Sequence, residues 1–337
     1  MFLSCVIVAK NEERNIARCI ESLLKHTEGV KGREILLVDS CSTDGTVEIA
    51  KQYPISIVQL GRDWQHSPSA GRFTGVNNVT GKYVLIIDGD MELRDGWIGP
   101  ALKFMEEHPN TGSVVGKHLD VVLQKGNTYA APQADIMTQG RTTAEEVDYV
   151  WGCSIFRREA LLKVGNFHPY LRAEEEAEVS YRLKRQGFAL YFFPGDAVYH
   201  YCISPTTNVV IQETIRRIKG NLWAGMGDML SWSLRKGYYS IIWKRFRVYF
   251  GFQFFLLIIL MGAICSLILK KYFLSVLFVS LFPSFIFFMC LKKKSVYRGL
   301  LSVVNIGIIS INLVVGLFRK VKDISNYPTD VTWIKRV

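Results

Sequence analysis

The chain has 337 residues, 49% hydrophobic and 21% charged, with a formal net charge of +11 from 41 Lys+Arg against 30 Asp+Glu. That composition is too apolar for a disordered chain and too charged for a bundle made only of membrane helices. The seven cysteines include no C-x-x-C pair, so neither a zinc ribbon nor a disulfide scaffold is indicated, and they read as buried thiols in a reducing compartment.

Leu3–Val8 predicts a first strand: it is apolar but short, lacks a basic lead and runs straight into Lys10-Asn11-Glu12-Glu13, unlike a signal peptide. Asn15–His26 predicts a helix with Ile16, Cys19, Ile20, Leu23 and Leu24 on one face. Glu34–Asp39 and Lys82–Asp88 are near-continuous apolar strands, and the turn after Asp39 leads into a helix over Thr46–Gln52. Apolar strands alternating with helices predict an α/β domain, its sheet mixed but mostly parallel and covered by helices on both faces. Sites in such sheets lie at the carboxyl ends of the strands.

Beyond that domain, over 1–204, the segment 205–247 interleaves basic and aromatic residues. Ile211, Ile215, Ile218 and Leu222 recur at helical spacing, followed by Arg235, Lys236, Trp243, Lys244, Arg245 and Arg247. Amphipathic helices of this kind suit a membrane interface, where cations meet anionic headgroups. The region 248–337 then holds three apolar runs, Val248–Leu269, Tyr272–Leu291 and Val296–Phe318, each near the roughly 20 residues that cross a bilayer core. Lys270-Lys271 and Lys292-Lys293-Lys294 separate them, and a basic tail follows. Three full crossings would put the tri-lysine loop and the basic tail on opposite faces, so either one segment is re-entrant or the preference of basic loops for the cytoplasm is broken here. Membrane flanks account for much of the positive charge, and no nucleic-acid-binding module is recognisable.

Acidic residues close three strands: Glu12 after the first, Asp39 at the tip of the second, and Asp88-Gly89-Asp90 after the third. Asp44, in Ser-Thr-Asp-Gly-Thr, fits a turn and helix start. Two carboxylates flanking a glycine suit a hard divalent cation, which would also bind a diphosphate. The chain has no glycine-rich dinucleotide fingerprint and no Walker loop, so basic residues and a metal must hold such a ligand; Arg72 is a candidate contact. Four glutamates, Glu174, Glu175, Glu176 and Glu178, open a later helix, and one of them can act as a general base. His200 ends an aromatic stretch and offers a third metal ligand.

In order, V-I-V-A-K-N-E-E, L-L-V-D-S-C-S-T-D-G-T, Y-V-L-I-I-D-G-D, R-R-E-A-L-L-K-V-G-N-F and E-E-E-A-E-V-S-Y-R-L resemble the family 2 glycosyltransferases over roughly Leu3 to His200. The resemblance implies a GT-A fold and inverting transfer from a nucleotide-diphosphate sugar. It implies nucleotide-sugar contacts at Ala9, Glu12 and Asp39, metal and diphosphate binding by Asp88 and Asp90 with Mg²⁺ or Mn²⁺, and an added ligand at Glu92. Counting back from Arg182 places the family's Glu-Asp pair on Glu175 and Glu176, with glutamate in place of aspartate, so either can be the base. Ser40 stands where many relatives have a second aspartate. Trp151-Gly152 corresponds to the loop beside the acceptor, and Arg216-Arg217 occupies part of the place of the Q-x-x-R-W of processive synthases.

The expected protein is a multi-pass membrane enzyme with a cytoplasmic catalytic domain. It takes a UDP- or GDP-sugar to a hydroxyl of a lipid-linked or cell-surface glycan. A polyprenyl-phosphate glycosyltransferase and a non-catalytic nucleotide-sugar-binding subunit are the alternatives.

Overall fold

The computed structural model describes residues 2–123, 129–135, 137–203 and 224–337. The expected helical stripe through Ile211, Ile215, Ile218 and Leu222, and Arg216-Arg217, lie outside them.

Strand β1 (Leu3–Ala9) is buried along its whole length. It pairs in parallel with β2 (Arg33–Asp39) on one side and β4 (Tyr83–Asp88) on the other. Between β1 and β2 runs α1 (Ile16–His26), which turns Ile16, Cys19, Ile20 and Leu23 into the core. The short α2 (Thr46–Ala50) leads from β2 to β3 (Ser56–Gln59), again parallel to β2. These strands read as continuous apolar runs because both faces are covered.

Helix α3 (Pro68–Asn77) precedes β4. Pro68 at its first turn needs no backbone donor, and the Ser67 hydroxyl accepts the Ala70 N–H at 3.0 Å. Small residues let α3 approach β1 closely. A Cβ added at Gly71 would lie 2.5 Å from Val8 Cγ1, and one at Gly75 2.2 Å from Val6 Cγ1. Gly75→Ala should therefore lower stability by about 1–3 kcal/mol through overpacking, read as a lower unfolding temperature; an unchanged melt would show that α3 can move off the sheet.

The second half of the sheet mixes directions. After β5 (Met91–Leu93) and α4 (Ile98–Glu107) comes the long β6 (Thr111–Leu123). The two-residue strands β7 (Gln133–Ala134) and β8 (Glu145–Glu146), then β9 (Ser154–Arg157), α5 (Arg158–Lys163), α6 (Glu175–Arg185) and β10 (Ala189–Ile203) complete it. β9 joins β4 and β6 antiparallel, β6 and β10 are parallel, and β10 meets β5 antiparallel.

The chain forms two compact units. One runs from the N-terminus to Arg216 and also takes up Lys322–Val337; the other is Arg217–Val321. The expected region 248–337 is thus divided. Its tail forms β11 (Thr332–Lys335), antiparallel to β3 on the sheet edge. There Lys335 Nζ donates to the Lys51 and Tyr53 carbonyls at 2.9 and 2.5 Å. Tyr327 is buried with its ring edge-on to Trp64, Phe73 and Tyr170, and its hydroxyl donates to the Gln65 carbonyl at 2.8 Å.

The second unit contains α7 (Ala224–Arg235), α8 (Tyr239–Ile268), α9 (Tyr272–Lys292) and α10 (Val296–Leu317). The last three are long and apolar enough to cross a membrane. The first begins at Tyr239 rather than at 248, because Lys244, Arg245 and Arg247 interrupt the apolar run without interrupting the helix.

Candidate active site

The sheet register sets acidic strand ends side by side. Val8 lies opposite Asp88 and Ala9 opposite Asp39. At Gly89 the chain passes so close to β1 that a Cβ would lie 3.0 Å from Ala9 Cβ and 3.1 Å from Glu12 Cγ. A larger residue there would push the Asp88-Gly89-Asp90 turn away from Glu12. Glu12 accepts Asn15 Nδ2 at 2.9 Å; burial, added to the nearby Asp90 and Asp88 charges, pushes its pKa up to about 7.

Asp39 is buried. Its carboxylate accepts the Ser42 N–H at 3.0 Å and Gln59 Nε2 at 2.8 Å. Asp44 performs the expected turn role: it accepts the Thr46 N–H and hydroxyl at 3.1 and 2.5 Å and the Glu13 N–H at 3.1 Å. Glu92 accepts the Tyr201 hydroxyl at 2.5 Å, so that side chain is already engaged. The Arg18 guanidinium covers the Tyr201 ring at 3.8 Å.

The two aspartates of the acidic turn have different basic partners. Asp88 faces Arg72, whose Nη2 lies 3.2 and 3.3 Å from its two carboxylate oxygens. Asp90 Oδ2 lies 3.5 Å from His200 Nε2, and His200 Nδ1 lies 2.9 Å from Asp120 Oδ1. This follows from β5–β10 pairing, which sets His200 opposite Met91. Asp90 and then Asp120 hold the His200 pKa up, at about 9. Asp90 Oδ1 is buried without a hydrogen-bond partner, an acceptor that a cation would satisfy. The donor set of carboxylate oxygens and imidazole nitrogen suits a divalent metal. Among the described residues, ligand atoms of Asp120, His200 and Cys202 lie within 4.8 Å of one another. Asp120 and Cys202 are additions that no sequence motif marks.

Arg72, the expected diphosphate contact, is only 3% exposed and is engaged by carboxylates. Beside Asp88 it pairs with Glu175 through Nη1 and with Glu176 Oε1 at 3.1 Å. It reaches them because α3 is packed tightly on the sheet and covered by the segment 168–170: Ser69 and Ser67 hydroxyls donate to the His168 and Pro169 carbonyls. Three acids around one guanidinium hold it protonated.

Glu175 and Glu176 open α6, where the helix dipole favours negative charge. Glu178, a turn on, is fully buried and paired to Arg182 at 2.6 Å, a structural pair. Glu175 is buried against Arg72. Glu176 keeps 25% of its side chain exposed and accepts the Gly152 N–H at 3.0 Å. Gly152 has φ +45, and a Cβ there would lie 2.4 Å from His118 Cε1, so both the backbone turn and the space require glycine. Burial, with the Glu175 and Asp88 charges, outweighs Arg72 and lifts the Glu176 pKa to about 7. A carboxyl group of that pKa that keeps a quarter of its side chain exposed is suited to proton abstraction at neutral pH.

Residues 4–165 match the family model described as Glycosyl transferase family 2. The mixed α/β sheet with its acidic strand ends is the GT-A fold of such enzymes. The chain thus carries a family 2 glycosyltransferase domain. It is 26% identical over 249 residues to the glycosyltransferase AglE of Haloferax volcanii, covering 72% of this chain and 79% of AglE. It is 28% identical over 129 residues to the Staphylococcus aureus poly(ribitol-phosphate) β-N-acetylglucosaminyltransferase TarS, covering 37% of this chain and 21% of TarS. A crystal structure of S. aureus TarS 1–349 with UDP-GlcNAc superposes with a TM-score of 0.49 at 22% identity, over 60% of this chain and 58% of that one.

Proposed function

We propose that this protein is an inverting glycosyltransferase that moves a sugar from a UDP- or GDP-sugar to a hydroxyl of a lipid-linked or surface-glycan acceptor at the cytoplasmic membrane face. The observation that carries the reading is Glu176: it is anchored by the Gly152 N–H and Arg72, has a pKa near 7, and is tied through Arg72 to Asp88. Glu176 takes the proton from the acceptor hydroxyl as that oxygen attacks the anomeric carbon. Glu175 holds Arg72, which in turn orients Glu176 and Asp88. Ala9, Glu12 and Asp39 border the nucleotide, with Gly89 and Gly152 leaving room beside it.

Asp90 and His200, with Asp88 beside them, would hold Mg²⁺ or Mn²⁺. When bound, such an ion neutralises charge on the departing diphosphate. The sequence match to TarS, named for transfer to poly(ribitol-phosphate), supports a polymeric acceptor. Three apolar helices support membrane residence.

The purified chain should release nucleoside diphosphate from a UDP- or GDP-sugar when a divalent cation and a lipid-linked or glycan acceptor are supplied. Asp90→Ala should abolish Mn²⁺-dependent donor binding in titration calorimetry. Unchanged donor affinity in that variant would refute the assignment of Asp90, and absence of turnover across both donor classes would refute the function.

A further inference from the structure

We infer that the segment Arg217–Val321 enters and leaves the bilayer on one face, with α8 and α9 crossing as a hairpin and α10 lying along the entry face without crossing. The inference rests on the membrane reading above and adds the number and identity of the crossings.

The first argument is parity. β11 is hydrogen-bonded to β3, and Tyr327 is seated among Trp64, Phe73 and Tyr170. The chain after Val321 therefore ends in the same water-facing domain as β1–β10, and the number of crossings between them must be even. Among the described residues three helices are long enough to cross, so at least one of them does not. Helix α10 ends at Leu317, and the 3₁₀ turn of the tail begins at Ile324. The intervening extended chain reaches roughly 20 Å, short of the ~30 Å hydrocarbon core. The end of α10 therefore lies near the membrane face on which the chain after Val321 emerges.

The second argument is the packing within this unit. α8 and α9 run antiparallel: Ser266 and Ser275 hydroxyls meet at 2.6 Å, Gly262 abuts the Phe278 ring, and Phe252 and Phe255 lie 5.6 and 5.4 Å from Phe285. α9 therefore ends beside the first half of α8. There α10 begins, with Gly299 packed on the Cys290 backbone. It passes α8 where Gln253 Nε2 donates to the Ser310 carbonyl at 2.7 Å. It ends against α7, where Gly316 abuts Gly227, the Ser231 hydroxyl donates to the Arg319 carbonyl at 2.5 Å, and Arg319 pairs with Asp228 at 3.5 Å. Only Lys236–Tyr238 separate the end of α7 from the start of α8. The start of α10 thus sits beside the first half of α8, and its end packs on α7, the helix that immediately precedes α8. At 1.5 Å per residue, Gly299 to Ser310 is about 16 Å of helix, yet Cys290 is only about 7 Å from the level of Gln253 along α8. α10 lies steeply across the hairpin.

Charge agrees. This arrangement puts Lys244, Arg245, Arg247, Lys292–Lys294, Arg319 and Lys320 on one face and leaves Lys270-Lys271 at the far end. The conflict that three crossings create with the positive-inside preference disappears. α10 also carries Asn305 and Asn312, which are costly deep in hydrocarbon and tolerable near its edge.

The test is protease-site mapping of the full-length protein in sealed membrane vesicles of both orientations. A cleavage site inserted after Lys271 should be cut only in right-side-out vesicles. Sites after Lys294 and after Val337 should be cut only in inverted ones. Sites placed before Met1 and after Val337 leave every helix intact, and must be cut from the same face even if an internal insertion misfolds. Cutting at those two ends from opposite faces would overturn the inference, as would a Lys271 site on the entry face or a Lys294 site on the far face. Release of the unmodified chain from membranes by alkaline carbonate would instead overturn the membrane reading itself.

Discussion

Glu176→Gln should lower kcat by roughly 10²-fold or more, with donor binding retained, and remove the acidic limb of the pH–rate profile. A general base works in its deprotonated form. With a pKa of about 7, the rate of the unaltered enzyme should rise about tenfold per pH unit below 7 and level off above it. Glutamine keeps the size of the side chain and, through its carbonyl oxygen, the bond from Gly152, but it cannot take a proton. Glu12 titrates in the same range, so Glu12→Gln is the control that should keep the limb. A Glu176→Gln enzyme with most of its activity and an unchanged profile would favour a phosphate acceptor, which needs little base catalysis. It would leave Glu176 a positioning group.

Arg72→Met should destabilise the catalytic domain by about 3–5 kcal/mol, because it removes the buried cation from among Asp88, Glu175 and Glu176 and leaves the buried Glu175 carboxylate unpaired. Methionine fills a similar volume, so the loss is electrostatic rather than a cavity effect. At roughly 2–4 °C per kcal/mol for a domain of this size, the unfolding temperature should fall by roughly 10 °C in thermal denaturation. Turnover should fall with it, since Asp88 and Glu176 lose a common anchor. A melt within about 2 °C of the unaltered protein would mean that the acids take up protons at little cost and that Arg72 is not the keystone of the site.

Much of this architecture is legible in the chain. β1, β2 and β4 announce themselves as apolar runs because a covered parallel strand has no wet face. The acidic turn stands out because it follows the strongest of those runs. β6, β9 and β10 are harder to see, because residues such as Lys117, His118, Asp120, Arg157, Asp196 and His200 interrupt their apolar runs. The glutamate partners of Arg72 come from residues about a hundred positions downstream, a distance over which no local spacing reports contact. The same holds for Asp120, which meets His200 across the β6–β10 ladder. The tail reads as merely basic because Arg319, Lys320 and Lys322 open it, whereas its backbone completes a sheet edge. Start positions of long helices also escape composition, since Trp243 to Arg247 end an apolar run but suit a helix entering an interface.

The late arrival of β11 has a consequence for biogenesis. The ribosome makes β3 long before its outer neighbour, with three long apolar helices synthesised in between, and an edge strand left open offers unpaired amides to any passing chain. Because loop-closure entropy grows only slowly with length, the long delay adds little equilibrium cost. It does make completion of this sheet edge depend on how the intervening apolar helices pack, since their arrangement must bring the tail back to β3.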